Sequence, residues 1–372
     1  MNRKTIRHFF FYIHSTLGLV VGILLCIAGV TGSILVFWHE IDVAILTQHF
    51  GSLIPTNTPI SLTKIQQNLE ALATSKNFHL DGIAPSSSLT QFYQAWLEDD
   101  MDHHWQAWIN QYTGEILGIR EWETSWVGRI YDLHYKLSAG DTGTIIMGIV
   151  ALLTVFIAIT GIVLWPGWRK LIAGFRIKWQ SHIRRRNFDV HKVAGIVAAV
   201  FLIMIGFTGF AWNIPQAKVN DAIHAITFSP KSEPPVISPV ANQQPLSFGV
   251  LAQQAQSQFP EARITFLHSP HTETEPASIY FKQTGENSHF GNSSVDLNPY
   301  TGEILNIKDG LNPSTAEAII NQFGPVHYGT FGGMTTRIFY VLIGLLPVIL
   351  LLTGFIMFWH RRKVKVHQPL ST

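Results

Sequence analysis

The chain is short of cysteine and short of charge. Among its 372 residues there is one cysteine, Cys26. A single cysteine excludes a disulfide within the chain, a cysteine-based metal centre and a C-x-x-C-H attachment site. Only 13% of residues are charged, about half the share of a soluble globular domain. The formal net charge is +2 and no basic stretch is interleaved with base-stacking aromatics, so nucleic acid is not an expected partner. No Gly-x-Gly-x-x-Gly opens a helix after a strand, and no Walker loop occurs, so no nucleotide or flavin motif is present.

What the chain has in quantity is apolar sequence, 47% of residues. Four runs, 9–38, 145–165, 193–212 and 339–359, reach the roughly 20 residues of helix that cross a hydrocarbon core. The first follows Arg3, Lys4 and Arg7. It is far longer than the roughly 7–15 apolar residues of a signal peptide, and no small-x-small site closes it, so it reads as a retained span. Trp38, Trp165, Trp168, Trp212 and Trp359 stand where an aromatic belt belongs. Positive charge collects near the N-terminus, between spans two and three (Arg169, Lys170, Arg176, Lys178, Arg184, Arg185, Arg186), and in Arg361, Arg362 and Lys363. The positive-inside rule then places both termini and the middle loop in the cytoplasm, with two large segments outside. The expected organisation is a span in 1–40, an outside domain in 41–140, a span in 141–166, a basic loop in 167–190, a span in 191–213, a second outside domain in 214–335, a span in 336–360 and a tail in 361–372.

The two halves repeat. His14, Gly18, Gly29, Thr31 and Gly32 recur 177 positions later as His191, Gly195, Gly206, Thr208 and Gly209. In the outside segments, Tyr112-Thr-Gly-Glu-Ile-Leu recurs from Tyr300. His134-Tyr135 matches His327-Tyr328, and Thr160-Gly161 matches Thr353-Gly354. The pattern is helix, outside domain, helix, twice. With two spans per copy, the copies enter with the same topology and are expected to be related by an axis along the membrane normal. Each outside segment has an α+β pattern. A helix-like stretch (62–73; 248–259) precedes alternating runs at 92–97 and 105–109, and at 263–267 and 278–281. Gly114 and Gly302 are expected to supply positive φ at hairpin tips, and 229–245 reads as a Pro/Ser-rich linker.

The His-x-x-x-Gly openings of spans one and three, the Thr-Gly-Glu-Ile-Leu motifs and the histidines before spans two and four resemble the PepSY-associated transmembrane family. The resemblance covers nearly the whole chain. It implies a bacterial inner-membrane protein, mainly α: four transmembrane helices as two parallel repeats, each with an α+β PepSY-like periplasmic domain. Members are often linked to iron uptake and include periplasmic ferric-siderophore reductases with two b-type haems. Those properties are what the resemblance implies.

Four of the 17 histidines are matched across the repeat. His14 and His191 open spans one and three; His134 and His327 precede the outer ends of spans two and four. A two-fold axis sets equivalent imidazoles opposite each other at one depth, as a bis-histidine haem requires. Pairs His14/His191 and His134/His327 then hold two haem b groups, one near each face. A pair His14/His134 would have to bridge a core about 30 Å thick and is excluded. Small residues (Gly18, Gly22, Ala28, Gly32; Ala194, Gly195, Ala198, Ala199) suit close approach of a macrocycle and plain helix packing equally. The competing readings of these histidines are interfacial polar residues, proton relay and divalent-metal binding. Tyr135, Tyr328, Arg129 and Arg337 are weaker candidates, for haem propionates, with packing an equal reading of the two tyrosines. His39 and His360 read as snorkelling residues, with His39 a competitor on the outer side. Asp99, Asp100, Asp102, His103 and His104 have metal-ligand chemistry but read as a solvated loop, with His103 and His104 the divalent candidates. His79, His268, His271 and His289 read as scattered surface residues.

The leading expectation is a transmembrane oxidoreductase in membrane lipid. A separate electron donor, quinol or a flavin reductase, would serve the cytoplasmic side, and a ferric siderophore or other chelated Fe(III) would be reduced in the periplasm. A non-enzymatic membrane-anchored module binding a peptide, protease or siderophore is the alternative. A siderophore or metal transporter ranks last, because the span centres carry almost no polar group.

Overall fold

The computed structural model describes residues 2–51, 53, 58–86, 91–214, 216–231, 235–237, 243–286, 288 and 290–366, with backbone alone at 3 and 362–366. His289, part of the 229–245 stretch, and the side chains of Arg362 and Lys363 lie outside the described residues. In chain order the elements are α1 (Arg3–Leu35), α2 (Trp38–Phe50), α3 (Leu62–Lys76), β1 (Phe78–Ala84), β2 (Phe92–Asp99), β3 (His104–Asn110), β4 (Ile116–Glu121), α4 (Trp126–Lys136) and α5 (Gly140–Leu164). A short 3-10 turn, Pro166–Trp168, leads to α6 (Leu171–Phe175), α7 (Ile183–Asn213), α8 (Gln216–Thr227) and α9 (Phe248–Gln256). Then come β5 (Arg263–His268), β6 (Ala277–Lys282), β7 (Ser293–Leu297), β8 (Ile304–Lys308), α10 (Thr315–Ile320), α11 (Phe323–Tyr328) and α12 (Gly333–Val366).

These elements form two compact units. Met1–Val36, Ile130–Val219 and Val326–Thr372 make a helical unit; Phe37–Arg129 and Asn220–Pro325 make a sheet-bearing unit. Among the described residues, four helices are long and apolar enough to cross a membrane: Lys4–Leu35, Gly140–Trp168, Ile183–Asn213 and Gly333–Arg361. Their outward faces are greasy. Val20, Ile23, Ile145 and Leu352 are each more than half exposed. A continuous apolar exterior of this kind needs lipid around it, so the chain is a membrane protein. The first apolar run is longer than its helix: α1 ends at Leu35, Phe37 leaves helical geometry (φ −118, ψ 19), and Trp38 opens α2. Hydropathy alone cannot register such a break.

Within the helical unit α1 packs on α12 and on α5, and α7 packs on α5 and α12. The α1–α12 crossing is backbone on backbone. A Cβ placed on Gly29 would stand 2.2 Å from the Gly344 carbonyl oxygen. Ser33 Oγ donates there to Gly29 O (2.8 Å) and to Val341 O (3.0 Å). Small residues at a lipid-embedded crossing permit this approach and the contact it brings. Near the start of α7, the buried Asp189 accepts from Lys192 Nζ (2.7 Å) and Arg185 Nε (3.2 Å), and Lys192 also donates to Ala173 O (2.9 Å). This network ties the α6 turn to α7.

In the sheet-bearing unit the described strands form one antiparallel sheet, ordered β4-β3-β2-β1-β5-β6-β7-β8. The middle pairing, β1 with β5 (Gly82↔His268, Ile83↔Leu267), joins strands from the two outside segments. Helices α3 and α9 bury Ile65, Leu69, Leu251 and Ala255 against Ile83, Leu97, Ile109, Leu267, Ile279 and Leu297. Each large side chain so buried contributes about 1.5–3 kcal/mol. The expected helices and strands fall on α3, α9, β2, β3, β5 and β6. At the hairpin tips Gly114 and Gly302 both take φ +76. An unanticipated aid is the asparagine before each Tyr-Thr-Gly: Asn110 Oδ1 accepts from Tyr112 N (2.9 Å), and Asn298 Oδ1 from Tyr300 N (2.9 Å). Each is an Asx turn preparing the tip. On α2, Asp42 receives a two-pronged bond from Arg120 (2.8 and 2.9 Å) and one from Trp126 Nε1 (3.0 Å).

Candidate functional site

Four imidazoles inside the helical unit meet in two pairs. The His14 and His191 ring centres are 6.2 Å apart with planes at 89°. Those of His134 and His327 are 6.3 Å apart at 79°. His14 and His191 project from α1 and α7, while His134 and His327 come from the last turns of α4 and α11, ahead of the long helices α5 and α12.

All four rings are seated alike. His14 Nδ1 is 3.1 Å from Thr160 Oγ1, and His191 Nδ1 is 2.9 Å from Thr353 Oγ1. His134 Nδ1 is 3.0 Å from Thr31 Oγ1, and His327 Nδ1 is 2.8 Å from Thr208 Oγ1. Each threonine hydroxyl already donates to a carbonyl one turn back in its own helix: Phe156, Ile349, Ile27 and Met204 respectively. Its one proton is therefore spent, and it accepts from the histidine. At His14 the carbonyl of Ile157, three residues before Thr160, also accepts from the ring, at 3.1 Å. The hydroxyl facing each ring is an acceptor, so Nδ1 carries the proton and Nε2 keeps its lone pair. A ligating histidine is held in this way, its second nitrogen donating to a fixed oxygen.

The residue after each threonine is glycine, and the ring lies over it. A Cβ on Gly32 would meet His134 Cε1 at 3.0 Å, and on Gly161 would meet His14 Cε1 at 3.2 Å. For Gly209 and Gly354 the distances to the His327 and His191 rings are 3.4 and 3.5 Å. The four Thr-Gly dipeptides are visible in the sequence as repeat markers. Their role as seats is not, because it depends on which helix faces which.

The weaker candidates separate. Arg337 is engaged at the end of α1, where its Nη2 donates to Val36 O at 2.6 Å. Such a contact caps a helix C-terminus. Tyr328 packs beside Trp212 (5.6 Å) and its neighbour His327 (5.8 Å). Tyr135 lies against Tyr131 (4.8 Å) and under the Lys136 ammonium (5.0 Å). Arg129 is exposed on α4; five residues from His134, it is turned about 140° from it around the helix. His39, in the sheet-bearing unit, stacks on Trp38 (3.6 Å) and faces Phe290 (5.5 Å). His103 and His104 turn to different carboxylates, His103 to Asp99 (3.3 Å) and His104 to Glu123 (2.9 Å). Among the described residues, a cluster with metal-ligand spacing is instead Asp81, His268 and His271.

No curated protein matches the chain. A family model does, and it runs across both histidine pairs and both outside segments. From residue 11 to residue 361 the sequence fits the model of the PepSY-associated TM region, and the chain belongs to that family.

Proposed function

We propose that this protein carries electrons across a bacterial inner membrane by means of two b-type haems, one held by His14 and His191, the other by His134 and His327. The supporting observation is the paired, identically seated imidazoles. Two metal–imidazole bonds of about 2 Å each, with about 1.2 Å from nitrogen to ring centre, put the centres of axial rings about 6.4 Å apart. The pairs stand at 6.2 and 6.3 Å. Along α1, His14 and the Thr31 seat of His134 are 17 residues apart, about 25 Å of helix. That separation takes up most of the core's thickness.

In this reading the chain is two parallel repeats around an axis along the membrane normal, with both termini cytoplasmic and the sheet-bearing unit periplasmic. A haem held by each pair of imidazoles would supply one-electron chemistry rather than a site for substrate. The chain's own residues do the rest. The threonines hold the proton on Nδ1 and fix each ring, the glycines let the ring lie against the helix, and the apolar spans keep water out. The donor is quinol or a separate flavin reductase. The acceptor is a ferric siderophore or another chelated Fe(III), whose one-electron reduction gives Fe(II), held less strongly by hard oxygen ligands.

Purified protein should give a b-type reduced-minus-oxidised spectrum and two haems per chain by pyridine haemochrome assay. A haem-free protein that still performs its periplasmic role would instead favour the membrane-anchored binding module. Thr208→Val removes an acceptor from His327 while preserving shape. The outer haem is expected to remain, with its midpoint potential raised, because a ligand that loses this hydrogen bond is less basic and favours Fe(III) less. An unchanged potential in a redox titration would show that the threonine does not tune the site.

A further inference from the structure

We infer that the sheet-bearing unit carries a binding site for one divalent first-row transition-metal ion, formed by Asp81, His268 and His271 at the seam between β1 and β5. This site stands independently of the haem reading. One ligand atom from each of the three lies within 4.8 Å of the others. His271 Nε2 is 2.9 Å from Asp81 Oδ1, His268 Nδ1 is 3.3 Å from the same oxygen, and the two rings are 5.3 Å apart. Ligand atoms about 2.1 Å from a common metal lie roughly 3–3.5 Å from one another, so small side-chain rotations close the set. Two imidazoles and one carboxylate on one side of a metal leave open positions, the pattern suited to Fe(II) and similar ions.

The backbone is shaped for this. The β1–β2 register shifts between Leu80 and Gly82, which leaves Asp81 at a bulge, and bulges re-aim a side chain out of the ladder. The Asp81 carbonyl accepts from Ser269 N (2.8 Å) and faces His268 Nδ1 (3.1 Å). His271 N donates to Glu275 Oε2 (3.0 Å), which pins the loop that carries the third ligand. Burial pushes the Asp81 carboxyl up, but the hydrogen bonds and charges of His268 and His271 outweigh it and hold the group below its usual range. The bond to Asp81 in turn raises His268. These protons occupy positions that a metal would take, and binding displaces them.

A second, separate observation is the cleft beside the cluster, about 420 Å³ in volume, into which His271 faces. Glu70, Glu98, Asp99, Asp100 and Asp102 line it, and among the described residues no lysine or arginine does. In a chain whose net charge is +2 this is a concentrated negative field, which draws cations toward its walls. Glu98 Oε2 lies 4.0 Å from His271 Nδ1 and orients the ring from behind. The cleft gives the ion a path from solvent.

The test uses the full chain in detergent, purified without a polyhistidine tag and stripped with chelator, titrated with Zn(II) and, for its absorption bands, Co(II). One Zn(II) per chain is expected. Asp81→Asn, His268→Ala and His271→Ala should each weaken it by at least the roughly 10–100-fold that loss of an outer partner costs a metal site. His79→Ala and His103→Ala, changed near the same cleft, should bind like the parent. Each variant's unfolding temperature without metal checks its fold; the rise that Zn(II) produces in the parent should vanish in the three ligand variants. Stoichiometric binding that persists unchanged in the combined Asp81→Asn/His268→Ala/His271→Ala variant, or a parent that takes up no Zn(II), overturns the assignment.

Discussion

Alanine at His191 is expected to cut the haem content of the purified protein to half, and alanine at His14 is expected to do the same to the same haem. The two imidazoles face one another across 6.2 Å; if they hold one haem as proposed, removal of either leaves one ligand where two are needed. The second substitution then has little left to remove. His14→Ala/His191→Ala should retain as much haem as either single variant, a strongly non-additive result, as expected for residues that act on one site. His134→Ala and His327→Ala should form the other equivalent pair. A double variant drawn from both pairs, such as His14→Ala/His134→Ala, should carry no haem. Each change also has a structural cost. It leaves a threonine hydroxyl without its donor, a cost of about 1–3 kcal/mol, and the unfolding temperature of each variant separates loss of fold from loss of a ligand. Haem assays and reduced-minus-oxidised spectra on all six variants read the pattern directly. Full haem content in His191→Ala, or additive losses within one pair, would rule out the pairing.

Much of this was legible in the sequence, and what was not has identifiable causes. The spans announced themselves by length and composition, and the hairpin tips by Tyr-Thr-Gly, because both depend on residues close together in the chain. The helices α4 and α11 that carry His134 and His327 were not foreseen; they are short, 11 and 6 residues, so no long periodic stretch marks them. Arg337, a propionate candidate by position, donates to Val36 O at the end of α1, a residue 301 positions away that no local pattern links to it. His268 and His271 looked scattered for the same reason. The residue that gathers them, Asp81, is 187 positions from His268 and reaches it only through the β1–β5 pairing. Sequence periodicity reports which face of an element is buried; it does not report which distant element covers that face.

The glycines matched across the repeat do different work, and substitution separates them. Gly29 lies where α1 meets α12 with no room for a side chain: an added Cβ would stand 2.2 Å from Gly344 O and 3.3 Å from Pro347 Cγ. Gly29→Leu forces the two backbones apart, beyond the 1–3 kcal/mol typical of an overpacked core. These helices carry His14, the Thr31 seat of His134 and the Thr353 seat of His191. Moving one against the other misplaces both histidine pairs, so this variant should lose both haems and unfold at markedly lower temperature. Gly18 lies one turn beyond His14 on the same face of α1, and a Cβ there meets no atom within 4 Å. Gly18→Leu should therefore leave the fold and the His134/His327 haem intact while excluding the macrocycle from His14/His191. Thermal unfolding followed by circular dichroism, with haem content per chain measured on the same samples, distinguishes the two effects. If Gly18→Leu destabilised the bundle as severely as Gly29→Leu, the glycine beside His14 would be a packing residue and the inner site would lose one of its supports.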